Sequence, residues 1–325
     1  MPVTVAEIEA AAERLAPVVR RTPLLSSPFL DEIAGRRVLV KPECLQHTGS
    51  FKFRGGWSAV SALPPDVRAR GVIAFSSGNH AQGVAYAAKL HGVPAVIVMP
   101  RDAPRLKVAN TEGFGAEVVL YDRETEDRDE IGAALAAERG LTLIKPFDEP
   151  MVIAGQGTCG LEIAAQAAAC GVSEADVLVC CGGGGLTSGI ALALERHAPG
   201  LRARPVEPEG FDDVARSLAA GRIERNDRMA GSVCDAIVTP SPGELTFPIM
   251  QRLCRPGLAV PDALALKAMA AAFVRLKLVL EPGGAVALAA ALYRPETVAG
   301  DAVIVVASGG NVDPAAFADV LREGA

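Results

Sequence analysis

The run Ser50-Phe51-Lys52-Phe53-Arg54-Gly55 sets one amine between two phenyl rings. Lysine is seldom fully buried without a partner, so an apolar bracket asks for a chemical reason. Desolvation disfavours the ammonium form and turns an inert cation into a neutral nucleophile near pH 7. Such an amine condenses with an aldehyde. The structural alternative is a lysine whose stem packs on Phe51 or Phe53 while its head reaches water. The hexapeptide alone does not separate the two readings.

Three further segments bear on the choice. Cys181-Gly182-Gly183-Gly184-Gly185-Leu186-Thr187-Ser188-Gly189 follows an apolar strand and opens a helix. Successive glycines let main-chain N–H groups converge on one anion, and the helix N-terminus adds partial positive charge. A flexible tight turn is the plain alternative, but four glycines cost more backbone entropy than a turn needs. Neither the dinucleotide fingerprint nor a P-loop fits, since no Lys follows. Ser76-Ser77-Gly78-Asn79-His80 also joins a strand to a helix. Its hydroxyls, amide and free N–H groups can hold a carboxylate or a cofactor ring, or merely cap the helix. Ser308-Gly309-Gly310-Asn311 presents a hydroxyl at a third strand end, and is otherwise a strand-to-helix turn. An amine for an aldehyde, a cradle for a phosphate and polar groups for a ring are the handles that pyridoxal 5′-phosphate requires.

The elements that must position these groups are legible as an alternation. Val38 to Lys41, Val72 to Phe75, Ala95 to Met99, Glu117 to Tyr121, Val177 to Cys181 and Ala302 to Ala307 read as strands, the first at an edge. Asn79 to Leu90, Arg105 to Gly113, Arg128 to Arg139, Met151 to Ala169 and Leu186 to His197 read as helices. This pattern predicts a doubly wound α/β architecture with ligands beyond the carboxyl ends of the strands. The chain either divides once near Pro150 or carries an inserted smaller unit. We favour the second, with 71–148 as a small substrate-binding domain inserted into a large cofactor-binding domain of 1–70 and 149–325. The segment from Arg222 to Pro242 reads as loop.

Composition narrows the function further. The 325 residues carry a net charge of -6 and only 4% aromatic residues, which argues against nucleic acid as a partner. No apolar stretch is long enough for a membrane span, and the acidic N-terminal segment does not read as a secretory signal. Seven cysteines with no C-x-x-C spacing suit reduced thiols in the cytoplasm.

The chain resembles the serine/threonine dehydratases, threonine ammonia-lyase-like enzymes that include serine racemase, in the fold-type II group of pyridoxal-phosphate enzymes. The likeness runs from Arg21-Thr22-Pro23-Leu24 to Pro314. It includes Ser50 to Gly55, Ser76 to His80, Ala154-Gly155-Gln156-Gly157-Thr158, Gly182 to Gly185, Glu281-Pro282-Gly283-Gly284-Ala285 and Ser308 to Asp313. It implies a tryptophan-synthase-β-like fold in two domains, a homodimer and an amino acid substrate. By the same resemblance Lys52 would hold the cofactor and move the Cα proton, with Phe51 against the ring and Asn79 on its 3′ oxygen. Gly182, Gly183, Gly184, Gly185 and Leu186 would bind the phosphate, Ser308 would face the ring nitrogen, and Glu281 would line the site near the ring. Ser76, Ser77 and His80 would seat the substrate carboxylate, joined by Arg128. Ser77 also matches the second acid/base of the racemases.

One loop of the resemblance concerns a metal. Glu207 and Asp213, with the main-chain carbonyl of Phe211, match a family site for Mg²⁺ or Ca²⁺; a solvated acidic loop before a helix start is the alternative. The implied reaction is α,β-elimination from a threonine- or serine-type β-hydroxy amino acid, giving a 2-oxo acid and ammonia. Racemisation, or dehydration of 3-hydroxyaspartate or of a hydroxyectoine breakdown product, are alternatives. The stretch from Ala230 to Asp235 departs from the family's Ala-Asp-Gly pattern.

Overall fold

The computed structural model describes residues 3–76, 78–103, 105–122 and 124–324. Their strands are β1 (Arg37–Pro42), β2 (Val72–Phe75), β3 (Ala95–Pro100), β4 (Glu117–Tyr121), β5 (Thr142–Leu143), β6 (Ala175–Cys180), β7 (Leu201–Pro208), β8 (Leu258–Val260) and β9 (Ala302–Ala307). They form two parallel sheets, ordered β1-β9-β6-β7-β8 and β4-β3-β2-β5. Every residue of β6 and β9 is buried, as continuous apolar runs require when helices cover both faces of a parallel sheet.

Alternate residues of the larger sheet serve two different cores. Val38, Val40, Leu178, Val303 and Val305 pack with the Asp262–Leu276 and Pro282–Tyr293 helices. Leu39, Val177, Val179, Ile304 and Val306 pack with the Pro150–Ala169 and Gly185–His197 helices on the opposite face. This is the doubly wound architecture expected from the alternation, and β1 lies at an edge.

Three expected strands, β2, β4 and β9, have the expected ends, whereas β6 stops at Cys180 and leaves Cys181 to the loop. Strands β5, β7 and β8 are not foreseen by the sequence pattern. The first and last have two and three residues. In β7, Arg202 and Arg204 interrupt the apolar run and Pro205 mimics a turn, yet Pro205 sits in register with Val179. Glu207 therefore stands on a strand and not in the acidic loop expected for it.

The helix Lys52–Ala62, also unexpected, begins at the lysine itself. It lies against the Asn79–His91 helix so closely that a Cβ on Gly83 would come 2.9 Å from the Lys52 carbonyl. Its other side is fixed by buried charges. The fully buried Arg54 binds Glu43 through Nε (2.7 Å) and Nη2 (2.8 Å), and Glu162 through Nη1 (2.8 Å) and Nη2 (3.1 Å). Lys41 joins the cluster through Glu162 and the Thr22 carbonyl. Burial alone would raise the Glu43 carboxyl, but Arg54 and Lys41 outweigh it and hold the carboxyl below its ordinary range.

Removing one member of such a cluster strands the others without a counter-charge. Arg54→Leu is expected to cost about 3–5 kcal/mol in urea unfolding, the usual penalty for an uncompensated buried charge. A loss no larger than that of an exposed ion pair would show that the cluster does not hold this helix.

Candidate functional site

The carboxyl ends of β2, β6 and β9 meet in a cleft of about 720 Å³ lined by residues of both sheets' units. Lys52 projects into it from a helix start. Its Nζ donates to the Pro146 carbonyl at 2.7 Å and lies 5.1 Å from the centre of the Phe51 ring. The second phenyl ring of the expected bracket is elsewhere: Phe53 is buried with His47, Trp57 and Tyr86. The residue keeps partial accessibility through the cleft mouth, but protein surrounds the amine. Burial pushes its pKa from 10.5 down to about 8. A cation at the first residue of a helix is also disfavoured by the helix dipole.

The glycine loop follows β6 at one wall. Gly184 is the helix N-cap with φ +92°, and a Cβ on Gly183 would sit 2.3 Å from the Phe147 ring. The first N–H groups of the Gly185–His197 helix have no intrahelical acceptor and face this end of the cleft. Buried polar atoms without partners among the described residues gather beside them: both amide atoms of Gln156, Oγ1 of Thr187 and Oγ1 of Thr239. Orphaned groups of this kind are costly unless a ligand completes them. Their position fits a phosphate.

Across the cleft, Asn79 Nδ2 donates to Glu281 Oε1 at 2.6 Å, and Asn79 Oδ1 accepts from Asn311 Nδ2 at 2.7 Å. Burial raises the Glu281 carboxyl to about 7, against the opposing pull of Asn79. Ser308 is buried at the end of β9 and lines the cleft. Ser76 Oγ accepts from the Gly78 N–H at 3.2 Å. Ser77 lies outside the described residues.

His80 is brought to the cleft in a form that revises its expected part. Burial, with Lys52 nearby, drives its imidazole down to about 3, so the ring is neutral. Its Nε2 is 2.8 Å from the Ile144 carbonyl, which can only accept, so the proton sits on Nε2. Nδ1 is then a buried acceptor, and the ring offers a carboxylate nothing. The main-chain N–H groups of Asn79 and His80, at the start of a 13-residue helix, offer it two donors. Arg128 reaches only the rim, half exposed and 3.6 Å from Asp129.

The Glu207, Phe211 and Asp213 set is not among the cleft's lining and runs from the end of the neighbouring strand β7 into the next helix. Glu207 accepts from the N–H groups of Val214 (2.9 Å) and Ala215 (2.8 Å), capping the Asp213–Ala220 helix. Asp213 Oδ1 accepts from Asn226 at 2.6 Å, while its buried Oδ2 has no partner among the described residues. Burial, then Asp213, pushes the Glu207 carboxyl well above its ordinary range. Among the described residues no three His, Cys, Asp or Glu side chains gather as a metal shell, so a cation here would rely on main chain and water. The orphaned Asp213 oxygen is the feature that fits one.

Sequence reasoning gives no role to Gln156, Thr187, Thr239 or Asp235. Gln156 is one of two glutamines in the Pro150–Ala169 helix, and nothing local separates it from Gln166, which bonds Lys41 and the Thr22 carbonyl. Asp235 is equally hidden: it reaches Lys107 at 3.6 Å across the cleft, a contact made by two segments far apart in the chain.

The family model described as "Pyridoxal-phosphate dependent enzyme" matches residues 15–309. The L-threo-3-hydroxyaspartate ammonia-lyase of Saccharomyces cerevisiae is 43% identical over 319 residues, 98% of this chain and 96% of that protein. The serine racemase of Schizosaccharomyces pombe is 38% identical, over 98% of this chain and 97% of that one. The crystal structure of the T.th. threonine deaminase superposes with a TM-score of 0.90 at 46% identity, covering 95% of this chain and 99% of that one.

The depressed lysine has a direct readout. Below its pKa the amine is protonated and inert, and above it the amine is neutral. Borohydride trapping of a small aldehyde, followed by peptide mass spectrometry across pH, should label Lys52 with a midpoint near 8. A midpoint at the ordinary 10.5 would mean that the cleft does not desolvate it.

Proposed function

The chain belongs to the pyridoxal-phosphate dependent enzyme family, and from that premise we propose that it converts a β-hydroxy amino acid to a 2-oxo acid and ammonia by α,β-elimination. The observation that carries this reading is the buried, depressed amine of Lys52 opposite a glycine loop ringed by orphaned polar atoms. Bound pyridoxal phosphate would supply the electron withdrawal that weakens the Cα–H bond.

This chain's residues would then do the following. Lys52 Nζ holds the cofactor aldehyde and, once freed, takes the proton from Cα. Main-chain N–H groups of Gly182 to Leu186 hold the phosphate, with Gln156, Thr187 and Thr239 in reach of the same end. Phe51 covers the ring, and Asn79 donates to its 3′ oxygen. The substrate carboxylate would sit on the N–H groups of Asn79 and His80, with Ser76 beside it and Arg128 at the rim; Ser77 keeps the part expected of it from the sequence.

Ser308, as a neutral partner for the ring nitrogen, would bear strongly on the reaction type. A carboxylate there would keep that nitrogen protonated and favour long-lived carbanions, whereas a hydroxyl leaves a weaker sink. Elimination tolerates a weak sink because the leaving β-hydroxyl carries the electrons away.

Within this class the reading favours a β-hydroxy amino acid with a second carboxylate, 3-hydroxyaspartate. Its support is the 43% identity to an L-threo-3-hydroxyaspartate ammonia-lyase, together with three basic side chains, Lys107, Arg128 and Lys145, that line the cleft. Threonine and serine are the neutral comparisons. Residues 71–148 are proposed as the small domain, since all four strands of the smaller sheet fall within them. A homodimer in the cytoplasm completes the reading, the dimer supported by exposed Phe29, Ile33, Phe273 and Val274 on two helices that touch. Among the described residues no helix is long and apolar enough to cross a membrane.

A panel of L-threo-3-hydroxyaspartate, L-threonine and L-serine, scored for ammonia and 2-oxo acid, tests the proposal. Hydroxyaspartate should turn over fastest, and Lys52→Ala should abolish release with every substrate while the chain stays folded. Formation of D-serine without ammonia would replace elimination by racemisation.

For the cation, Mg²⁺ or Ca²⁺ at Glu207, Asp213 and the Phe211 carbonyl should raise the melting temperature by a few degrees, in proportion to the logarithm of concentration. Chelation should reverse it, and Asp213→Asn should remove the response. A chelation-insensitive melting curve would leave Glu207 as a helix cap alone.

A further inference from the structure

An ordered chain of hydrogen bonds crosses the cleft wall, and its direction is fixed at one end. Asn311 Nδ2 donates to the Thr48 carbonyl at 2.8 Å and to Asn79 Oδ1 at 2.7 Å. Asn79 Nδ2 in turn donates to Glu281 Oε1 at 2.6 Å. A main-chain carbonyl can only accept, so Asn311 must turn its NH₂ toward Thr48. That same NH₂ then obliges Asn79 to present its oxygen to Asn311 and its own NH₂ to Glu281. One hydrogen of the Asn79 NH₂ remains without an acceptor among the described residues.

The anchor of this chain is built with care. Thr48 has φ +63° and ψ 14°, a left-handed conformation that is uncommon for a residue with a β-branched side chain. It aims the Thr48 carbonyl at Asn311. A Cβ on the next residue, Gly49, would lie 2.5 Å from Asn311 Oδ1, so only glycine leaves room for the amide. Gly310 N–H donates to the Gly49 carbonyl at 2.9 Å, and Phe51 N–H to the Ser308 carbonyl at 3.1 Å. The turn leading into Lys52 and the turn after β9 are thus tied together, with Asn311 at the knot.

We propose that Asn311 is a positioning residue: it acts through Asn79, fixing that amide so that an N–H and not an oxygen faces the 3′ oxygen of the cofactor ring. The inference rests on the reading that Asn79 meets that oxygen. Without Asn311 the Asn79 amide can rotate, and its oxygen would then oppose two acceptors, the Glu281 carboxyl and the ring oxygen.

The test uses loaded enzyme without substrate. Asn311→Asp keeps the shape and replaces the donor by an acceptor; Asn311→Ala removes the donor and adds no repulsion. Both should shift the visible absorbance band of bound pyridoxal phosphate and weaken its affinity roughly tenfold, as expected when one part-buried hydrogen-bond partner is left unsatisfied. The double variant Asn79→Ala/Asn311→Ala should match Asn79→Ala alone, because a residue acting through another adds nothing once that one is gone. A wild-type band in Asn311→Ala, or shifts that add in the double variant, would overturn the inference. If Asn311→Asp fails to fold, Asn311→Ala decides. A wild-type chain that stays colourless with the cofactor would instead overturn the reading of the cleft itself.

Discussion

The structure depends on keeping one amine out of water without giving it a counter-charge. Lys52 has a carbonyl and a phenyl ring for neighbours, and among the described residues no carboxylate is bonded to it. An ion pair would have kept the ammonium form and removed its use as a nucleophile or base. The carboxylates of this region are placed accordingly. Glu43 and Glu162 point away from the cleft and are consumed by Arg54 and Lys41. The sequence Lys52-Phe53-Arg54 therefore sends two cations in opposite directions, one into a dry charge cluster and one into a cleft where no carboxylate is bonded to it among the described residues.

The close approach of helices follows from the same need. Only a glycine at position 83 lets the Asn79 helix lie against the main chain of Lys52, which brings Asn79 and the free N–H groups of that helix beside the amine. The cleft is thus assembled from a helix start on each side, and helix starts are where main-chain donors are unspent. This arrangement puts unspent main-chain donors at both ends of the cleft, and among the described residues no other lysine or arginine is bonded to the amine. A second cation beside the amine would have lowered the Lys52 pKa further.

How much of this is legible in the sequence varies with the kind of signal. Buried parallel strands such as β6 and β9 are continuous apolar runs with glycine-rich punctuation, and their ends can be read to within two residues. The strand β7 cannot, because Arg202 and Arg204 break its apolar run, Arg204 reaching out to Asp176 and a main-chain carbonyl, and Pro205 looks like a breaker. The functional motifs are visible because each combines glycine with a polar residue at a strand end. The fate of Phe53 is not, since local sequence does not say which of two flanking rings turns toward the lysine and which joins a distant aromatic cluster. His80 shows a further limit: its presence at the cleft is expected, but its neutral state follows from burial and from a carbonyl 64 residues away in the chain. Gln156 and Asp235 need tertiary contacts to be given a part in the cleft at all.

The neighbouring strands β6 and β7 raise a last electrostatic point. Cys180 pairs with Val206, so the glycine loop after β6 and Glu207 near the end of β7 emerge side by side. The Cys181 thiol beside them is pushed well up, first by burial and then by Glu207. Two ionised carboxylates, Glu207 and Asp213, would oppose a phosphate at the loop through little water. Two remedies exist in the geometry. The carboxyls can hold protons, toward which burial drives both, or a divalent cation can take the free Asp213 oxygen and cancel their charge. A cation would leave Glu207 anionic, strengthening its hold on the Val214 and Ala215 N–H groups, whereas a proton would weaken that cap. A cation bound there would serve the helix cap and the glycine loop together, through the charge balance of two adjacent strand ends.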